Sequence, residues 1–401
     1  MTTCKHFGTC GGCTYLDIPY PQELAQKEAA LRETLGPHAH LLEALLPAPN
    51  PKGYRNKMEL AFGDEGKDGS LATLSLGIRK RRSYYEVATV EDCELIPQDF
   101  KTIALHVQDF FRAAGENFFH RKRHTGTLRH LVLRRGEFTG EILTCLSTTS
   151  RLETDLATLT AQLLALPLTG SIKAILHSIN DGVADTVKDE NIRVLHGQDR
   201  FREKICGLDF TISAFSFFQT NSAGAEVLYG AVKEMAVQAL SPGPGKAADP
   251  GQNPAAPTLA YDLYCGTGTI AQVLSPAFDK VIGIELNQDA IKAAQENMRR
   301  SGITNCEFHA GDVQELLSPG RPTPDIAIVD PPRNGLHPKA LAKLIALAPP
   351  SIIYVACKPE SLARDAAALA EAGYRPVRAV GVDMFPRTPH VECVMRFQYC
   401  P

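Results

Sequence analysis

The sequence predicts an α/β fold, an open and mostly parallel sheet with helices, joined to a separate β-rich domain. Three observations carry this. From about residue 54 to 212 the chain reads as short β-like runs broken by turns, and beyond that helix and strand alternate. Leu259-Ala-Tyr-Asp262-Leu-Tyr264-Cys-Gly266-Thr-Gly268-Thr-Ile-Ala271 is strand, glycine turn and helix in succession, and Lys280-Val-Ile-Gly-Ile-Glu285 is a second strand ending in an acid. Two later apolar runs end in chemically active residues, Asp325-Ile-Ala-Ile-Val-Asp330 before Pro331-Pro332-Arg333, and Ser351-Ile-Ile-Tyr-Val-Ala-Cys357 before Lys358-Pro359.

Taken in chain order, Met1-Thr-Thr-Cys-Lys-His has no apolar signal region, so a cytoplasmic protein is expected. No apolar run reaches the roughly 18 residues that span a bilayer. The eleven cysteines are therefore expected to be reduced, and serve as ligands, nucleophiles or core. Cys4-x5-Cys10-Gly-Gly-Cys13 gathers three thiols in a glycine-rich turn, with Cys93 as a candidate fourth; four thiolates suit zinc or an iron-sulfur cluster, and spacing does not choose between them. Cys145, Cys206, Cys265, Cys306, Cys393 and Cys400 read as core or incidental. Pro21 to Leu35 has helical spacing. Leu71 to Ile78, Leu128 to Leu133 and Glu141 to Leu146 read as strands, and a helix is expected near 223 to 240. The Pro/Gly/Ala-rich stretch 241–257 reads as a flexible insertion. Residues 1–21 and 54–212 are thus assigned to the β-rich domain, 22–53 to a helix and connector packing on the α/β domain, and 213–401 to the α/β domain itself. At 401 residues with 44% hydrophobic content, such a chain buries more than one core.

A net charge of -3 hides an asymmetry: residues 50 to 135 hold 16 Lys and Arg against 11 Asp and Glu, leaving 26 against 34 elsewhere. Ile78-Arg-Lys-Arg-Arg82 and His120-Arg-Lys-Arg-His124 through Arg134-Arg135 concentrate the excess, with Tyr84, Tyr85, Phe118 and Phe119 nearby. A one-signed patch with aromatic surfaces suits phosphates and unpaired bases, while a solvated charged face is the plain alternative.

The glycine turn lets a ligand approach the backbone, and Glu285 suits ribose hydroxyls. The letters G-x-G-x-x-A also fit a dinucleotide fingerprint. An acidic Asp262 at the mouth of the turn would oppose a pyrophosphate, however, and would favour the sulfonium of S-adenosylmethionine. Asp312, closing the third strand, is a candidate adenine contact or an ordinary turn aspartate. Cys357 is a candidate nucleophile or a small buried hydrophobe. His390-Val-Glu392 brings a second carboxylate to the start of another apolar run, and strand ends in such a sheet converge on one crevice.

Asp-Leu-Tyr-Cys-Gly-Thr-Gly-Thr, Val-Asp-Pro-Pro-Arg, Tyr-Val-Ala-Cys-Lys-Pro-Glu-Ser-Leu-Ala-Arg-Asp and Asp383-Met-Phe-Pro-Arg-Thr-Pro-His-Val-Glu392 resemble the RNA uracil-5-methyltransferase family. So do Ser216-Phe-Phe-Gln219-Thr-Asn221 and Tyr54-Arg-Asn-Lys-Met-Glu59, and the match runs in family order over nearly the whole chain. The resemblance implies a Rossmann-like, class I S-adenosylmethionine-dependent methyltransferase domain. It implies Cys357 as nucleophile, Glu392 as base, and Gln219, Tyr264, Gly266, Glu285, Asp312 and Asp330 lining the cofactor and uracil pockets. It also implies a 4Fe-4S cluster on Cys4, Cys10, Cys13 and Cys93, structural in role, with zinc as the alternative. Where the family usually has Ser and Asn, this chain has Ala356 and Lys358.

The sequence starts three residues before Cys4, so the TRAM barrel of one branch is expected to be absent. It thus most resembles the shorter 23S rRNA enzymes, with a looped or flipped uridine as target, no membrane, no obligate protein partner and a monomeric state expected. A tRNA-directed member, a non-catalytic iron-sulfur RNA-binding protein and a nicotinamide oxidoreductase are the other readings. A cytosine-5 enzyme lacks support because its usual Pro-Cys context is absent.

Overall fold

Strands and helices alternate along most of the computed structural model, which describes residues 4–65, 74–120, 122–183, 191–240, 258–317 and 320–400. The expected strand residues Leu71 to Thr73, the basic Arg121 and the insertion at 241–257 lie outside the described residues. In chain order the first half contains α1 (Tyr20–Leu35), β1 (Leu42–Leu46), β2 (Lys57–Asp64), β3 (Leu74–Arg79), β4 (Val87–Thr89), α2 (Gln98–Ala113), β5 (Leu128–Arg135), β6 (Glu141–Thr148), α3 (Leu156–Leu164), β7 (Ser171–Ile179) and β8 (Ile192–Gly197). A hairpin, β9 (Arg200–Ile205) and β10 (Leu208–Ser213), leads to α4 (Ser222–Leu240). Then come β11 (Leu259–Leu263), α5 (Thr269–Leu274), β12 (Lys280–Glu285), α6 (Gln288–Arg300), β13 (Cys306–Ala310), α7 (Val313–Leu316), β14 (Ile326–Val329), α8 (Pro338–Leu347), β15 (Ser351–Ala356), α9 (Pro359–Glu371), β16 (Tyr374–Val382) and β17 (Glu392–Tyr399).

Two large sheets result. The first runs β4-β3-β2-β5-β6-β7-β8, antiparallel except for the β6–β7 pair. Helices α2 and α3 bury Phe100, Ile103, Val107, Phe111, Leu159 and Leu163 in a core shared with β2, β5 and β6. The second runs β1-β16-β17-β15-β14-β11-β12-β13, and β11 to β15 are parallel. β17 lies antiparallel between β15 and β16, and β1 adds to the edge in parallel with β16. Strands buried on both faces read as unbroken apolar runs, which is why Ile326-Ala-Ile-Val329 and Ser351-Ile-Ile-Tyr-Val-Ala356 show no alternation. Helix starts are marked by caps: Asn287 accepts the N–H groups of Asp289 and Ala290, and Asp155 that of Ala157.

One core joins the two sheets. Val132, Leu143 and Leu176 of the first sheet pack with Phe201 and Phe210 of the hairpin, with α4, and with Ile328, Ile353 and Val394 of the second. The basic run divides at this junction. β5 is an inner strand, so Arg129, His130 and Arg134 are buried and belong to no surface patch. Arg134 Nη1 instead donates to the carbonyls of Ser213 and Ser216, each at 2.7 Å, and tethers the turn leading to Gln219. Burial pulls its pKa down to about 10. Arg81, Arg82, Lys122, Arg123 and His124 remain exposed.

The aromatic expectations divide similarly. Phe118 is buried, Tyr85 stacks on His120 at 4.3 Å, and Phe119 lies under Arg129, whereas Tyr84 is 74% exposed. Among the described residues no helix is long and apolar enough to cross a membrane.

Candidate active site

β11 pairs with β14 on one side and β12 on the other, so the order of strands reverses beside β11 and a crevice opens over the carboxyl ends. Five strand ends deliver side chains to it: Tyr264 after β11, Glu285 at the end of β12, Asp312 just past β13, Asp330 after β14 and Cys357 after β15. Because β17 runs antiparallel, its first residue, Glu392, arrives at the same edge. Ala356 pairs with Cys393, which places Cys357 and Glu392 side by side along the register. These residues, with Gln219 and Gly266, line one cavity of about 1960 Å³. All eight catalytic and cofactor candidates therefore share a single space.

Gly266 and Gly268 both have positive φ, 53° and 73°. A Cβ on Gly266 would meet nothing within 4 Å, so this face of the turn is open to a ligand; one on Gly268 would lie 2.5 Å from the Phe308 ring. Glu285 braces the turn by accepting the Gly266 N–H at 3.2 Å and the Asn287 N–H at 2.8 Å. Asp262 is not at the mouth of the turn, contrary to the sequence expectation. It is fully buried beneath it, accepts the Ala271 N–H at 2.9 Å through Oδ2, and leaves Oδ1 without a partner. The alternating pleat turns this side chain inward, and burial pushes its pKa up to about 8. Asp312 faces the cavity but also caps α7, accepting the Gln314 N–H at 2.8 Å.

Acids dominate the reacting end. Burial raises Asp330 to about 7, although the residue keeps some surface open to the cavity; protein packed around the carboxylate explains both facts. Burial, then the Asp330 charge, pushes Glu392 well above the usual carboxylate range, with Arg333 opposing. Neither the start of α9 nor Lys358 brings the Cys357 thiol below its ordinary pKa. Burial first, then Glu392 and Asp330, raise the thiol to about 11, and Arg333 only partly offsets them. Lys358 is exposed at the start of α9 and is not among the cavity-lining residues, so the departure from Asn turns outward. Ala356 is buried in β15.

Sequence reasoning singled out no role for Arg333 or Tyr229. Arg333 sits exposed at the cavity rim. Tyr229, from α4, is buried in the cavity wall within hydrogen-bonding reach of Gln219. Its position in an apolar helix face reads as core, and no local pattern marks it otherwise.

The N-terminal thiols lie far along the chain from this cavity but close to one another. Cys10 bridges to Lys80, the Arg81 N–H donates to the Thr9 carbonyl at 2.9 Å, and Arg81 Nη2 reaches the Cys13 carbonyl at 3.2 Å. Burial, then the neighbouring charges of Cys93, Cys10 and Cys4, raise Cys13 to about 12. Four thiols that feel one another match a thiolate-bound centre in donor chemistry. Among the described residues, however, no group of three or more His, Cys, Asp or Glu side chains forms a ready metal site.

Comparison with known proteins agrees with this geometry. A model described as Methyltransferase domain matches residues 258–332, and one described as tRNA (Uracil-5-)-methyltransferase matches residues 323–398. An uncharacterized RNA methyltransferase of Clostridium acetobutylicum is 40% identical over 98% of this chain and 83% of its own length. One of Clostridium tetani is 38% identical over 98% of this chain and 82% of its own length. The crystal structure of the Pyrococcus abyssi tRNA (uracil-54, C5)-methyltransferase with S-adenosyl-L-homocysteine matches 97% of this chain and 86% of that one, with a TM-score of 0.75 and 28% identity. The α/β half therefore has the class I methyltransferase fold. At this similarity over almost its full length, the chain belongs to the RNA uracil-5-methyltransferase family and takes S-adenosylmethionine as its methyl donor.

Proposed function

We propose that this enzyme methylates C5 of a uridine in 23S rRNA through covalent addition of Cys357 to C6 of the base. The observation that supports the chemistry best is the meeting of Cys357, Glu392 and Asp330 in one cavity with the open glycine turn. Uracil C5 is a weak nucleophile and becomes enolate-like only once a thiolate has formed a bond to C6. Cys357 supplies that thiolate, and its proton must leave first, since the free thiol is held high. Bound S-adenosylmethionine supplies the methyl group as an electrophile. Glu392 then accepts the C5 proton; the C–H electrons restore the C5–C6 double bond, and the C–S electrons return to Cys357. Asp330, poised near neutrality, and Gln219 are suited to the N3–O4 edge of the base. Tyr264, Gly266, Glu285 and Asp312 are suited to the cofactor.

In the same reading, residues 1–21 and 54–212 form an RNA-binding unit, 22–53 a connector on the catalytic domain, and 213–401 the catalytic domain. Cys4, Cys10, Cys13 and Cys93 would hold a 4Fe-4S cluster, or zinc, as a structural brace, since methyl transfer involves no net electron flow. The enzyme acts as a cytoplasmic monomer on a looped or flipped uridine.

A tRNA substrate is the second reading, favoured by the substrate of the Pyrococcus abyssi enzyme. Mass-spectrometric mapping of 5-methyluridine in RNA from a deletion strain decides between them. Loss of one or more sites in 23S rRNA, restored by the wild-type gene, is the expected result. Loss confined to tRNA would overturn the rRNA assignment.

A further inference from the structure

Glu392 is delivered by an irregular connection, Asp383 to Val391, between β16 and β17. In this connection four successive carbonyls are each held by a different part of the chain. Asn221 Nδ2, at the start of α4, donates to the Met384 carbonyl at 3.0 Å. Lys27 Nζ, from α1, donates to Phe385 at 3.1 Å. The Tyr54 hydroxyl, just before β2, donates to Pro386 at 3.0 Å. The N–H groups of Thr14 and Tyr15, immediately after Cys13, donate to Arg387 at 2.7 and 3.2 Å.

Arg387 is the tightest point of the connection. Its φ of 69° is left-handed, a conformation that an arginine rarely adopts unless its surroundings hold it there. The surroundings do so: its N–H donates to Glu23 Oε1 at 2.6 Å, and its guanidinium reaches Glu23 Oε2 at 3.2 Å and the Ile18 carbonyl at 3.1 Å. Glu23 is in turn paired with Lys27 at 2.8 Å. Lys27 pairs with Asp383 at 2.8 Å, and the Tyr20 hydroxyl donates to Asp383 at 2.8 Å. Glu23, Lys27 and Asp383 are fully or almost fully buried. Loops ordinarily leave their carbonyls to water, so this degree of fixing calls for an explanation beyond chain connection.

We propose that the 383–391 connection is a positioning device for the Glu392 carboxylate, that Arg387 is its principal positioning residue, and that the cysteine-bearing N-terminal turn is one of its four anchors. The proposal rests on the reading of Glu392 as the base. Proton removal from C5 is the step that needs this carboxylate in place, because addition of the thiolate and transfer of the methyl group both precede it. A loosened connection therefore slows elimination selectively: the C–S bond persists after C5 has been methylated, and protein stays attached to RNA. A general loss of packing does the opposite, reducing adduct together with turnover.

The test uses the full-length enzyme, S-adenosylmethionine and total RNA from a strain lacking the gene, and measures the RNA–protein adduct that survives SDS. Arg387→Gly removes the guanidinium but keeps the left-handed backbone without strain; Tyr54→Phe removes only the donor to Pro386 and covers the case in which the first variant misfolds. Glu392→Gln is the reference. Adduct raised several-fold over wild type in Arg387→Gly and Tyr54→Phe, with turnover falling in step, is the expected result. If Glu392→Gln accumulates adduct while both variants stay at the wild-type level, the positioning role is wrong. If Glu392→Gln accumulates none, the base assignment fails and the proposal falls with it.

Discussion

At the scale of single residues, the site is governed by buried acids. Three carboxylates, Asp262, Asp330 and Glu392, have pKa values raised mainly by burial. A raised folded-state pKa means that the folded protein holds the proton more tightly than the unfolded chain. The associated stability is fully present below the unfolded value, near pH 4, and is lost as pH rises toward about 8 for Asp262 and about 7 for Asp330. The ligand-free protein should therefore lose on the order of a few kcal/mol between roughly pH 5 and pH 8.5, and Asp262→Asn should flatten that slope in pH-dependent thermal melts. Cys357 carries the second prediction. RNA containing 5-fluorouracil should trap a covalent complex, because fluorine at C5 cannot be abstracted. Trapping should accelerate with pH, since the thiol titrates near 11, and should vanish in Cys357→Ala. Equal trapping by the alanine variant would show that another residue is the nucleophile.

At the scale of elements, the glycine turn between β11 and α5 couples backbone conformation to ligand access. Gly268 combines a φ of 73° with a ring 2.5 Å from where a Cβ would stand. Gly268→Ala should destabilise the protein by roughly 2 kcal/mol or more and weaken S-adenosylmethionine binding, both measurable by melts and calorimetry. Gly266 differs, having the same hand of backbone but open space at its Cβ position, so Gly266→Ala should cost binding more than stability. The same scale shows how far the basic surface was legible. Arg81, Arg82, Lys122, Arg123 and His124 sit in exposed turns, whereas Arg129, His130 and Arg134 sit on β5 and are buried. A charge count sees these residues as alike; only the pairing of β5 with β2 and β6 separates them.

At the scale of the whole molecule, the proposed division of labour makes two measurable claims. Replacing Arg81, Arg82, Lys122 and Arg123 with Gln should weaken RNA binding regardless of sequence and lower the salt slope of log K by about 0.7 for each lost phosphate contact. Anaerobically purified enzyme should contain about four iron and four sulfide per chain, lost in Cys13→Ser; zinc at one per chain would identify the alternative centre. Much of the cavity in the α/β half was readable in advance, because strand ends in an open α/β sheet converge and because Cys357 and Asp330 each follow such an end, whereas Glu392 reaches the same edge only through the antiparallel run of β17. The amino-acid order by itself determined the strand–turn–helix units, the switch-point crevice and the residue types within it, since these depend on local propensity and on topology that local units allow. The inward turn of Asp262, the high pKa of Cys357 and the anchoring of Arg387 by α1 and the N-terminal turn were decided by tertiary structure alone. Burial and charge proximity are properties of neighbours in space, and residues 364 positions apart, such as Glu23 and Arg387, meet only when the chain is folded.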